Sequence, residues 1–132
     1  MKNIVDAGPI IALFERNDTP LKRWARRIFQ ENQPPFFTCE AVLAEAAFMT
    51  SPELIARMVS EADLVVDFSL QAEAAAVGGL AAKYAPRMQL ADACIVRMAE
   101  LETNCQVFTV DREDFSLYRR QRKQPIPCVF PD

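Results

Sequence analysis

Short apolar runs of three to five residues alternate with longer stretches of helical periodicity along the chain, and that alternation leaves few folds open. Lys2 to Val5, Phe36 to Thr38, Leu64 to Phe68, Gln106 to Val110 and Pro127 to Phe130 read as strands. Strands separated by helices pair in parallel through crossovers, and helices cover both faces of such a sheet. The spacing predicts one α/β sandwich domain over residues 1–132, with a short, mainly parallel central sheet.

Local signals place the helices. Pro9 opens a short segment from Ile10 to Phe14. Thr19-Pro20 and Ser51-Pro52 each set a capping hydroxyl before a first-turn proline. After the first, Leu21, Trp24, Ile28 and Phe29 form an apolar stripe; after the second, Leu54, Ile55, Met58 and Val59 do. Glu40 to Met49, Gln71 to Tyr84 and Gln89 to Leu101 complete the set, and Pro86 stops the alanine-rich fifth helix. Gly78 and Gly79 lie inside that helix, where each costs about 1 kcal/mol relative to alanine; the expectation is close packing against them.

Absences narrow the chemistry. The chain has no histidine, which removes Ser-His-Asp and Cys-His schemes and imidazole metal ligation. With three glycines, Gly8, Gly78 and Gly79, it has neither a G-x-x-x-x-G-K-[ST] loop nor a G-x-G-x-x-G turn. Cys39, Cys94, Cys105 and Cys128 show no C-x-x-C spacing and read as reduced thiols of a cytoplasmic protein. No apolar run approaches the roughly 18 residues of a membrane span, and Asp6 interrupts what would be a signal-peptide core. The net charge of −3 disfavours non-specific nucleic-acid binding overall. Two basic groups stand out against it: Lys22, Arg23, Arg26 and Arg27, then Arg119, Arg120, Arg122 and Lys123. Each is either a solvated face or a local cationic patch that the total conceals.

Carboxylates are left to carry any chemistry. Asp6 and Asp111 follow strands, at the edge where open parallel sheets put their ligands, although acids there also cap turns. Glu45 is the only charge between Ala41 and Met49 and shares a helical face with Val42, Phe48 and Met49. That position predicts desolvation, relieved by a cation or by an arginine partner. Asp92 shares a face with Ile95, Val96 and Ala99, but acids are also favoured in a helix's first turn. Asp114 is either a further metal-site acid or the cap of a short helix beginning near Phe115. Gathered together, such acids need a cation to offset their repulsion, and hard divalent ions suit all-oxygen sites.

Four stretches bear a family likeness, in order: Ile4-Val5-Asp6-Ala7-Gly8-Pro9, Thr38 to Phe48 around Glu45, Leu90-Ala91-Asp92-Ala93, and Phe108 to Phe115. Together they resemble the PIN-domain nucleases, especially the toxin component of VapBC toxin–antitoxin pairs. The resemblance implies a three-layer α/β/α sandwich with magnesium or manganese held by Asp6, Glu45, Asp92 and Asp111. Asp114 would contribute directly or through water, and Thr109 would support the ligands from behind. It further implies hydrolysis of RNA phosphodiesters, a homodimer, and a cognate antitoxin that covers the acidic groove. The chain departs from the pattern at Ala7 and Gly8, where many relatives carry threonine or serine and then asparagine. Two other readings fit part of the pattern: a PIN-like scaffold that binds RNA or protein without cutting, and a receiver-like signalling domain. The latter lacks an acid pair after the first strand and a lysine after the fifth.

Overall fold

A computed structural model describes all residues, 1–132. β-branched and aromatic residues build the short strands β1 (Lys2–Val5), β2 (Phe36–Thr38), β3 (Leu64–Val66) and β4 (Cys105–Phe108). They pair in parallel in the order β3-β2-β1-β4-β7, with β7 (Cys128–Val129) at the edge. Val5 pairs with Phe108, so β1 and β4 end level with each other.

Helices α1 (Ala7–Leu13), α2 (Pro20–Glu31), α3 (Glu40–Met49), α4 (Pro52–Ser60), α5 (Leu70–Lys83), α6 (Leu90–Leu101) and α7 (Arg112–Leu117) flank this sheet. The connections from β1 to β2 to β3 step one way and the return from β3 to β4 steps the other. Right-handed crossovers therefore put the two sets of helices on opposite faces, completing the three layers. Ile4, Val5, Phe36, Leu64, Val107 and Phe108 are buried between them. Thr19 and Ser51 cap their helices as their sequence contexts predict, accepting from the Lys22 and Leu54 amides.

Several expectations need correction. β3 ends at Val66 and β4 at Phe108, so Thr109 and Val110 separate β4 from Asp111. Asp111, not Asp114, caps the last helix, which starts at Arg112 rather than near Phe115. β5 (Arg119–Arg120) and β6 (Gln124–Pro125) form an antiparallel hairpin that no sequence signal marked. Its turn holds Gln121 and Arg122 in the left-handed region, at φ 49° and 74°.

Gly78 and Gly79 are exposed, and a Cβ built on either would meet nothing within 4 Å. Close packing therefore does not explain them. Gly78→Ala and Gly79→Ala should each stabilise the protein by about 1 kcal/mol through helix propensity alone. A thermal melt would register a rise of roughly 3 °C for each; a lower melting temperature would mean that the helix is not continuous there.

Candidate active site

The sheet reverses its winding between β1 and β4; Asp6 directly follows β1, and Asp111 stands three residues beyond the end of β4. Asp6 follows β1 and caps α1. Its Oδ1 accepts from the Ala7 amide at 2.9 Å and its Oδ2 from the Thr109 hydroxyl at 2.8 Å. Thr109 is fully buried, and its Oγ also accepts from the Asp111 amide at 3.2 Å, so one hydroxyl ties the two acidic strand ends together. Asp6 is only 8% exposed. Burial pushes its pKa up to about 6 despite the two hydrogen bonds, and the charges of Asp92 and Glu45 add to the push.

Asp92 sits in the first turn of α6, where its carboxylate accepts from the Gln89 amide at 3.5 Å and caps the helix. The same Oδ2 accepts from the Tyr118 hydroxyl at 2.8 Å. Burial raises its pKa; the Tyr118 and Gln89 donors oppose that rise, and the Asp114 charge reinforces it. Asp111 is raised by burial as well, with Asp114 and Asp92 adding like charge. Asp114 pairs with Arg87 at 2.6 Å, and Glu113 stands 3.6 Å from the same guanidinium. Cap and charge-cluster roles thus coexist in Asp6, Asp92 and Asp111.

Glu45 differs from expectation. It is exposed and has no hydrogen bond or ion pair, and its helical neighbours Phe48 and Met49 are 88% and 60% exposed. The face they share is turned outward, so desolvation does not act on Glu45; its link to the site is its charge on Asp6.

The two basic groups are only partly engaged by other residues. Arg23 pairs with Asp18 and Arg27 with Asp132; Lys22 donates to the Glu15 backbone carbonyl, and neither it nor Arg26 makes an ion pair. Arg119 donates to the carbonyls of Ser116, Leu117 and Tyr118 at the end of α7. Arg120 turns inward and donates to the Ala99 and Thr103 carbonyls at the end of α6. Arg122 and Lys123 are exposed and unpaired.

Two residues at the site carried no sequence signal. Tyr118, three residues after Phe115, reads as core, and it is fully buried except that its hydroxyl reaches Asp92. Arg87 stands in the turn between α5 and α6 with nothing nearby in sequence to mark its pairing with Asp114. Tyr118→Phe removes the donor to Asp92 and should destabilise the fold by about 1 kcal/mol. It should also weaken any activity that needs Asp92, roughly 10-fold or more. Unchanged stability and activity in that variant would show that the bond does not form in solution.

The family model described as the PIN domain matches residues 4–121. The chain belongs to the PIN domain family. The match runs from β1 into the hairpin turn and takes in Asp6, Glu45, Asp92, Asp111 and Asp114. The five-stranded parallel sheet flanked by helices is a PIN-like fold. No curated protein matches the sequence. PIN domains are generally nucleases and typically use divalent metals, so the family places this chain in a nuclease superfamily.

The donor set suits a hard divalent cation, being carboxylate oxygen throughout, with Asp6, Asp92 and Asp111 already paying in raised pKa for their closeness and burial. No three acidic or thiol side chains are spaced to grip an ion as they stand. Asp6, Asp92 and Asp111 are instead turned onto internal donors, and Asp114 onto Arg87.

Proposed function

We propose that this PIN domain is a magnesium- or manganese-dependent ribonuclease that hydrolyses RNA phosphodiester bonds, and that it is the toxin of a type II toxin–antitoxin pair. The observation that carries the reading is Asp6: a buried carboxylate at the switch point of a parallel sheet, pushed up to about 6 by its burial, with the charges of Asp92 and Glu45 adding to the push. Such a group is stored at a cost in stability that a bound cation would relieve.

Asp6, Glu45, Asp92 and Asp111 would hold the ion, with Asp114 beside them. When bound, a divalent cation supplies an activated water and stabilises the leaving oxygen. The chain's own residues supply orientation. Thr109 fixes the rotamer of Asp6 and spaces it from Asp111, while Tyr118 does the same for Asp92. Arg87 balances Asp114 and Glu113. Glu45, exposed and unpaired, is free to turn toward the other acids.

The toxin reading adds a homodimer and a cognate antitoxin over the acidic groove, supported by the motif likeness. A cytoplasmic location accords with four free cysteines and with the absence of any helix long and apolar enough to cross a membrane. Induced expression of the chain alone should arrest growth, and Asp92→Asn should not. Arrest by both forms, or by neither, would remove the toxin role.

A second reading, a PIN-like scaffold that binds RNA or protein without cutting, is favoured by two observations. No ready three-acid cage exists, and Ala7-Gly8 lacks the hydroxyl and amide that many relatives carry. A manganese titration separates the two readings: no saturable binding, or binding unaffected by Asp92→Asn, selects the scaffold.

A further inference from the structure

Two locally unfavourable residues meet at one surface pocket. Gly79 lies in the middle of α5, where glycine weakens a helix and where no neighbour needs the space. Arg122 sits at φ 74° in the hairpin turn, a conformation that glycine or asparagine adopts at lower cost. Both line a pocket of about 480 Å³ between α5, α6 and the β5–β6 hairpin, together with Lys83, Arg97, Arg119 and Glu100. Where local preference is set aside twice at one place, function is the first explanation to test.

The charge of the pocket says what it would take. Of its eight lining residues four are cationic and one is a carboxylate, in a chain whose net charge is −3. Arg97 is neutralised by Glu73 at 2.7 Å and Glu100 at 3.2 Å. Arg119 is bonded to carbonyls, which orient its charge without cancelling it. Lys83 and Arg122 make no ion pair; the Lys83 ammonium lies over the Tyr84 ring, 5.3 Å from its centre. Gly79 lines the same pocket without a side chain.

The pocket is joined to the acids. The Arg119 amide donates to the Tyr84 hydroxyl at 2.9 Å. The Tyr84 ring packs edge-on against Tyr118 with centres 5.1 Å apart, and Tyr118 holds Asp92. The Gln121 amide donates to Glu100 at 2.8 Å, fixing the hairpin on α6.

We propose that this pocket is a phosphate-binding exosite that seats the RNA backbone beyond the cleavage site, with Lys83 and Arg122 as its phosphate ligands. The inference rests on the ribonuclease reading for its ligand, but it concerns binding rather than cutting. The test is anisotropy of a short fluorescent single-stranded RNA in EDTA across a salt series, with wild type, Lys83→Gln, Arg122→Gly and the double variant. Loss of two phosphate contacts should lower the slope of log affinity against log salt by about 1.4 and weaken binding roughly tenfold at 0.2 M salt. Arg122→Gly relaxes the turn, so its melting temperature should hold or rise while its affinity falls; a purely structural Arg122 would not give that combination. Wild-type affinity and slope in the double variant would overturn the exosite even if the protein cuts RNA. Binding that depends on both residues, in a protein that never cuts, would uphold the exosite and remove the nuclease reading. No RNA binding by the wild type would overturn it and leave the pocket to an acidic protein partner.

Discussion

Asp6→Asn should make the protein more stable above pH 6 while lowering metal-dependent cleavage at least about 100-fold. The Asp6 carboxyl moves from an ordinary 3.8 to about 6 on folding. Between these values the folded chain holds a proton that the unfolded chain has lost. Stability attributable to Asp6 therefore falls as pH rises from about 4 to 6, and the full penalty persists above that window. The shift is worth about 3 kcal/mol as a ceiling. Asparagine carries no charge but offers one acceptor where the carboxylate offers two, so a net gain of about 1–2 kcal/mol is expected at pH 8. Denaturant melts of both forms at pH 4, 6 and 8 measure this directly. A variant that is less stable than wild type at pH 8 would show that Asp6 is not strained by its surroundings.

Gly8→Ala should destabilise the fold by about 1–3 kcal/mol and impair the site as well. A Cβ built at Gly8 stands 2.4 Å from Val110 Cγ2 and 3.2 Å from Val110 Cβ, and valine's branched side chain has little freedom to retreat. This contact draws the start of α1 against the residue before Asp111, so it sets the separation of Asp6 and Asp111 end to end. Displacing it by an ångström could cost up to about 100-fold in rate. It also explains the departure at Gly8, because an asparagine there would collide with Val110. Val110→Ala should rescue Gly8→Ala by about 1 kcal/mol relative to the sum of the single changes. Strict additivity would mean that the two residues do not touch.

Patterns confined to a few neighbouring residues were readable, and long-range contacts were not. Parallel strands followed from their alternation with helices, and the Thr19 and Ser51 caps from a hydroxyl followed by proline. Glu45 misled because α3 is apolar on its outer face too, with Phe48 and Met49 in solvent, so that no stripe marks its buried side. The β5–β6 hairpin was hidden because its left-handed positions carry Gln121 and Arg122 rather than turn residues. Asp6 and Thr109 stand 103 residues apart, and Asp92 and Tyr118 stand 26 apart. Such pairings arise from sheet order and helix packing, which no local window contains. Arg87 joins Asp114 in the same way.

The most direct measurement is cleavage of a panel of structured RNAs by the purified, partner-free chain, with manganese, magnesium or EDTA, beside Asp6→Asn and Asp92→Asn. Cutting should require the divalent ion and be lost in both variants while each remains folded. Equal cutting by wild type and variants, or cutting that persists in EDTA, would contradict this and separate the acids from the activity.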